Sequence, residues 1–229
     1  MPSPQILETV SVADAATTRL RDSLFAGHYK AGEEIKDTHV ATQFGIARPT
    51  ARVAVQQLIN EGMLVRIPGY SARVRTFDPS QVEDIYRVRK LIELDAVREI
   101  KNRKPPLHLV AEALEGFADL QKSEDDWSRI AEADVAFHAS VVNSAGSARL
   151  QSYFSGITSE IRLLVAQLRD QYTGGAALYA EHEQLYLSLR DDSSLQSVQS
   201  EWLSHLDSAE RFLTHHVAGT NEVGVDETI

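Results

Sequence analysis

A chain of 229 residues with 43% hydrophobic content and a mean hydropathy of -0.25 has room for one large or two ordinary domains with a real core. It has no cysteine, which excludes disulfide scaffolds, thiolate metal sites and cysteine nucleophiles. No apolar run approaches the ~20 residues of a membrane span, and the start, Met1-Pro-Ser-Pro-Gln5, lacks the basic and apolar regions of a signal peptide. A cytoplasmic chain with no membrane partner is expected.

The net charge of -10 is unevenly spread. Residues 1–76 hold nine Lys/Arg against seven Asp/Glu, and residues 77–229 hold 14 against 26. Between Arg48 and Arg75 lie five arginines and one acid, Glu61. Local positive charge is what phosphate binding needs, and the acidic remainder would face away from it.

In chain order, a first helix is expected from about Val12 to Ala26, ended by Gly27. A turn then leads into a short extended piece ending at Ile35. Asp37 reads as the cap of a second helix, Thr38 to Phe44. Gly45 supplies the tight turn to a third helix, Arg48 to Asn60, with Pro49 tolerated in its first turn. Its inner face is Ala51, Val55, Leu58 and Ile59. Two β-type segments follow, Leu64–Ile67 and Ala72–Thr76, joined by the hairpin signal Pro68-Gly69-Tyr70-Ser71. Three helices and a hairpin are the order of a winged helix-turn-helix. In that motif the early residues of the third helix meet base edges of double-stranded DNA. Those residues are Arg48, Pro49, Thr50 and Arg52, and Gly69 in the wing is small enough to approach the duplex closely.

Asp78-Pro79-Ser80-Gln81 is a capped helix start and marks a domain boundary near residue 76. The helix reaches about Lys101, with Val82, Ile85, Val88, Ile92 and Ala96 inward, and Pro105-Pro106 breaks the chain. Further helices are expected over 107–122, 126–143, 147–172, 177–191 and 194–217. The segment 220–229 reads as an acidic, disordered tail. The fold class is therefore mostly α: a winged helix-turn-helix over 1–76, then an all-α antiparallel bundle over 77–219.

Three bundle helices carry inward stripes interrupted by polar residues. They read Trp127, Ala131, Asp134, His138, Val141; then Leu178, His182, Leu185, Leu189; then Val198, Trp202, His205, Ala209, Phe212. A buried carboxylate or imidazole is costly unless paired or metal-bound. Any one of these histidines alone would read as a hydrogen-bonded core residue. Four polar groups on three facing stripes point instead to a divalent ion: zinc, nickel or manganese. His28, His39, His108, His215 and His216 lack this inward placement.

The residues also resemble a family. Leu20-Arg-Asp-Ser-Leu24, Phe44-Gly-Ile-Ala-Arg48-Pro-Thr-Ala-Arg52, Glu61-Gly-Met-Leu64, Val88-Arg-Lys-Leu-Ile-Glu93, Asp134-Val-Ala-Phe-His138, His182 and His205-Leu206 are similar to the GntR family of bacterial transcription regulators, in its FadR-like branch with an FCD effector domain. The resemblance implies the same four metal ligands, Asp134, His138, His182 and His205. It also suggests Arg89 as the clamp for a small organic-acid effector, whereas the spacing alone equally allows a surface salt bridge from Arg89 to Glu93. Departures from the family fall on the recognition helix: Ala47 where Ser or Thr is usual, Pro49-Thr50 as an inverted pair, and Val53 for a glutamate. The expected function is a non-enzymatic, repressor-type homodimeric regulator whose operator affinity follows a carboxylate bound at the metal. Two alternatives stand beside it: a regulator for which the ion itself is the signal, and a helical-bundle metalloenzyme.

Overall fold

The computed structural model describes residues 11–120, 127–166 and 175–223, with side chains as far as Gly219. The chain divides into two compact units, which meet between Thr76 and Phe77.

In the first unit, α1 (Val12–Phe25) and α2 (Asp37–Phe44) both pack on α3 (Arg48–Asn60). Leu20, Leu24, Val40, Ala51, Ala54, Val55 and Leu58 fill the space between them. Ala54 takes the place expected of Ile59, which is half-buried at the edge. Gly45 caps α2 with φ of 65°, the left-handed turn that swings the chain into α3. The extended piece at Glu34–Ile35 is a strand, β1. It joins β2 (Leu64–Val65) and β3 (Ala72–Val74) in an antiparallel sheet of order β1-β3-β2, with Glu34 opposite Arg73 and Leu64 opposite Val74.

The second unit is a helical bundle. Helix α4 (Pro79–Arg103) starts on a capping box: Asp78 Oδ1 accepts from the Gln81 backbone N–H at 2.9 Å, and the Gln81 side chain accepts from the Asp78 N–H at 3.0 Å. It packs along α10 (Leu195–Val223) and α6 (Trp127–Ser144); α5 (His108–Ala118) packs on α6 and α9 (Gly175–Arg190). Val82, Ile85, Ile92 and Ala96 are buried as expected, but Val88 is only partly so; its neighbour Arg89 is buried with Tyr86 and Glu93.

Three expectations are corrected. Asp37 does not cap α2: Lys36 holds that position and Asp37 is the first helical residue, its carboxylate engaged by two arginines instead. The single helix expected over 147–172 is two, α7 (Ala148–Ser155) and α8 (Thr158–Val165). At the break the Ser155 hydroxyl donates to the Ser152 carbonyl and the Thr158 hydroxyl to the Ser155 carbonyl, so side chains compete with the helical ladder. Residues 167–172 of the expected helix lie outside the described residues. Residues 220–223, expected in a tail, belong to α10, which continues to Val223; residues 224–229 of the expected tail lie outside the described residues.

Gly175, where α9 begins, is a point of close approach. A Cβ there would lie 2.9 Å from the Leu120 carbonyl oxygen and 3.2 Å from Ile130 Cδ1. Gly175→Ala is expected to cost about 1–3 kcal/mol through overpacking, read as a lower midpoint in urea denaturation; an unchanged midpoint would contradict this packing.

Candidate metal centre and nucleic-acid interface

Asp134 and His138 stand one turn apart on α6, His182 comes from α9 and His205 from α10. One ligand atom from each lies within 4.8 Å of the others. Asp134, His138 and His182 are buried; the His205 side chain is 9% exposed, because Leu206 and not His205 follows the deepest line of α10. Phe117 and Phe137 each lie with ring centroids 4.8 Å from His182, and Phe137 and Trp202 flank His138. The imidazoles are therefore packed against aromatic faces and edges and have little freedom to rotate.

Hydrogen bonds fix which nitrogen each ring turns inward. His182 Nδ1 is 2.7 Å from the Leu178 carbonyl oxygen, an acceptor without a proton, so Nδ1 carries the hydrogen. His138 Nδ1 donates to Glu93 Oε2 at 2.7 Å, and His205 Nδ1 pairs with Glu181 at 3.2 Å. The Nε2 lone pairs of His138 and His182 then face each other at 3.3 Å, with Asp134 Oδ1 3.1 Å from His182 Nε2 and 3.9 Å from His138 Nε2. Lone pairs brought this close repel unless a positive charge lies among them. One proton on His182 can serve only one neighbour at a time, whereas a divalent ion serves every ligand at once. Around an ion with bonds of about 2.0–2.1 Å, tetrahedral ligands stand about 3.3 Å apart, close to the two shorter separations. The residues present thus fit a metal ion.

Electrostatics favour the ligating forms. Burial pushes His205 down to about 4, against the pull of Glu181, and it also lowers His138, against the pull of Glu93. Both imidazoles are neutral at pH 7, as ligation requires. Burial alone would raise Asp134, but His182, His138 and Arg89 outweigh it and hold the carboxyl well below the usual carboxylate range.

Behind the four lies a residue set that the sequence only half revealed. Glu93 is fully buried and accepts from three donors on three helices: Arg89 Nε at 2.8 Å, His138 Nδ1 at 2.7 Å and Trp202 Nε1 at 3.0 Å. The Arg89–Glu93 pair exists, but inside the bundle and not on its surface. Arg89 is 2% exposed, and its Nη2 has no hydrogen-bond partner among the described residues. Tyr86 Oη and Asp134 Oδ2 are likewise buried without a hydrogen bond. The Arg89 guanidinium sits 5.0 Å from the centre of the Tyr86 ring. Burial pushes the Tyr86 phenol up to about 12, so it stays protonated and can only be a donor or neutral acceptor at pH 7. The i, i+3 and i, i+4 spacing of Tyr86 and Glu93 about Arg89 was the available signal for these two residues.

In the first unit, α3 carries Arg48, Pro49, Thr50 and Arg52 in its first turn and a half. Arg48, Pro49 and Arg52 are exposed and Thr50 is half-buried. Ala47 is the N-cap and, lacking a hydroxyl, makes no side-chain cap bond. Gly69 sits in the wing with φ of 87°, between the exposed Ile67 and Tyr70. Arg48, Arg52, Arg66 and Gly69 line one groove of about 540 Å³ between the start of α3 and the wing.

Comparison with known proteins follows the same division. Residues 12–74 match the family described as bacterial regulatory proteins, gntR family, and residues 84–218 match the FCD domain. The chain belongs to the gntR family. The curated relatives it matches are named as transcriptional regulators. The uncharacterized HTH-type transcriptional regulator YdhC of Bacillus subtilis is 30% identical over 79 residues, 34% of this chain and 35% of the relative. The Nta operon transcriptional regulator of Aminobacter aminovorans is 30% identical over 71 residues, 31% of this chain and 34% of that one. The match thus spans about a third of the length of each curated relative. Among solved structures, a transcriptional regulator GntR from Rhodococcus sp. RHA1 aligns with TM-score 0.78 at 20% identity, covering 89% of this chain and 98% of that one. E. coli McbR/YncC aligns with TM-score 0.67 at 19% identity over 93% and 100% of the two chains. At such identities the likeness speaks to the fold. No described helix of this GntR-family chain is long and apolar enough to cross a membrane.

Removing the Glu93 charge would leave Arg89 buried without its counter-ion. Glu93→Gln is expected to destabilise the bundle by about 3–5 kcal/mol. Glu93 is held well below the ordinary carboxylate range: burial alone would raise it, but Arg89 and His138 prevail. Its contribution is therefore complete above the unfolded value of about 4.3 and is lost as pH falls from there towards the lowered folded value. Urea midpoints of wild type and variant should differ widely at pH 7 and converge as the pH is taken below about 4; a gap that stays constant with pH would contradict this assignment.

Proposed function

We propose that this GntR-family regulator is a repressor-type switch. A divalent ion, zinc in the first instance, is held by Asp134, His138, His182 and His205, and a small organic acid binds beside it and alters the grip on the operator. The convergence of four ligand atoms from three helices carries this reading. When bound, the ion would act as a Lewis acid that accepts an effector oxygen by expanding its coordination beyond the four protein ligands.

The unpartnered interior atoms suggest what the effector is. Arg89 Nη2 and protonated Tyr86 Oη are two buried donors that, beyond their contact with each other, have no hydrogen-bond acceptor among the described residues. Arg89 and a divalent ion against Glu93 and Asp134 leave one uncompensated positive charge. A monocarboxylate would neutralise it, and Arg89 and Tyr86 would satisfy its oxygens. Arg89 thus serves both expectations: its Nε is committed to Glu93, and its far edge remains for the ligand.

On the DNA side, Arg48, Pro49, Thr50 and Arg52 would enter the major groove and Gly69 would bring the wing close to the backbone. A two-fold homodimer would place two such surfaces on half-sites of a near-palindromic operator. Helix α4 offers the connection. It carries Tyr86, Arg89 and Glu93, and its cap, Asp78, is the second residue after the DNA-binding unit ends. An effector favouring one position of α4 would shift the regulator between DNA-binding states by its difference in affinity for them.

Protein purified without chelator should contain about one transition-metal ion per chain by elemental analysis, and His182→Ala should lose it while still binding operator DNA; a wild-type protein without metal, whose melting temperature zinc does not raise, would rule the site out. Release of DNA by metal alone, with no organic acid, would instead make the ion the signal.

Tyr86→Phe gives a sharper test of the ligand position, since the hydroxyl it removes touches only Arg89 among the described residues. Its melting temperature should equal or exceed that of wild type, whereas the affinity for the best monocarboxylate in a thermal-shift screen should fall about tenfold. Unchanged affinity would remove Tyr86 from the effector site.

A further inference from the structure

One acid in the DNA-binding unit is shared by two arginines. Asp37, the first residue of α2, accepts from Arg52 Nε through Oδ2 at 3.3 Å and from Arg66 Nη2 through Oδ1 at 3.1 Å. Arg52 stands on α3; Arg66 follows β2 at the base of the wing. Each carboxylate oxygen thus holds a guanidinium from a different element. We propose that Asp37 is a positioning residue that sets sequence discrimination. It fixes the presentation of Arg52 and Arg66, and its charge holds down the affinity for arbitrary duplex. This rests on the reading above that the groove between α3 and the wing meets DNA.

Three observations support it. First, Asp37 is the one acid among the residues lining that groove, where Lys36, Arg48, Arg52 and Arg66 are the cations. Phosphate binding without regard to sequence grows with the number of free cations on such a face. A carboxylate among them repels phosphates and competes for two of the four cations.

Second, the Asp37 bond to Arg52 uses Nε and leaves both terminal nitrogens without a hydrogen bond among the described residues. A bidentate guanine contact needs a guanidinium edge held at a fixed angle. Arg52 is 62% exposed, so the tether reduces the orientations it must give up on reaching a base. Third, Asp37 is itself only 14% exposed and so cannot swing freely away from the pair. Capping does not account for it: the N-cap of α2 is Lys36, and the helix takes no side-chain cap bond.

The test uses the full-length protein, the duplex that wild type selects from a random pool, and a scrambled duplex of the same composition. Affinities for both are read by fluorescence anisotropy over a salt series. Asp37→Asn keeps the shape and removes the charge. It is expected to bind the scrambled duplex more tightly and to lower the ratio of selected to scrambled affinity by about tenfold. Asp37→Glu should recover part of that ratio. In an Arg52→Ala background, Asp37→Asn should change the ratio by less than half as much on a logarithmic scale. If Asp37→Asn melts well below wild type, Asp37→Ser takes its place. A wild-type ratio in the charge-removing variant overturns the proposal, as does an equal weakening on both duplexes, which is the mark of a merely structural acid. The underlying interface fails separately: Arg48→Ala and Arg52→Ala would then bind both duplexes as wild type does.

Discussion

The buried carboxylate of Glu93 is the constraint on which the helical unit depends. Withdrawing an ionised carboxyl group from water costs several kcal/mol even after relaxation. Here the cost is offset by one guanidinium and two ring N–H donors, supplied by Arg89 of α4, His138 of α6 and Trp202 of α10. Each donor is also buried, so none finds an equivalent partner elsewhere. The three helices are thereby pinned at one depth, which hydrophobic packing alone, being non-directional, does not enforce.

The same carboxylate decides what His138 can do. By accepting from Nδ1 it leaves the Nε2 lone pair facing His182 and Asp134, and it raises the basicity of that nitrogen. His182 is oriented by different means, the carbonyl of Leu178 one turn earlier on its own helix. His205 depends on Glu181, which is 46% exposed, and is the least buried of the four. The centre therefore has a rigid side, built on α4, α6 and α9, and a looser one at the mouth between α9 and α10. A groove there is lined by Glu181 and His205. Because Glu93 and Arg89 share α4, the orientation of His138 is mechanically tied to the helix that follows the first unit.

Much of this could be read in the sequence because the signals were periodic. The stripe Trp127, Ala131, Asp134, His138, Val141 has the helical repeat, and all five residues are buried. Helix α3 reads directly from Pro49 at its start and Gly62 beyond its end. What escaped notice has physical causes. The break between α7 and α8 turns on hydroxyl groups bonding to backbone carbonyls, which leaves the apolar pattern intact. Arg89 and Glu93 look like a solvated i, i+4 pair, because charge biases a reader towards the surface. Only the mutual satisfaction of three helices makes their burial tolerable. Asp37 looks like a cap because acids favour helix starts; its two arginine partners are 15 and 29 residues away and invisible to any local pattern.

Arg52 and Arg89 show one device in two environments. Each arginine is held at Nε by a carboxylate, which leaves terminal nitrogen free for something else. At the surface, water screens the attraction, and such a pair contributes about 0–1 kcal/mol. Arg52 can therefore exchange or share its carboxylate when a phosphate or a guanine edge arrives. In the interior the pair cannot be opened without leaving a bare charge at a cost of about 3–5 kcal/mol, so Arg89 must keep Glu93, and the proposed ligand would have to bind in addition to it. The surface pair is suited to sampling many duplex sequences, and the buried pair to registering a single anion. In the proposed function, the depth of burial, more than the identity of the residues, would fit one arginine to reading DNA and the other to sensing an effector.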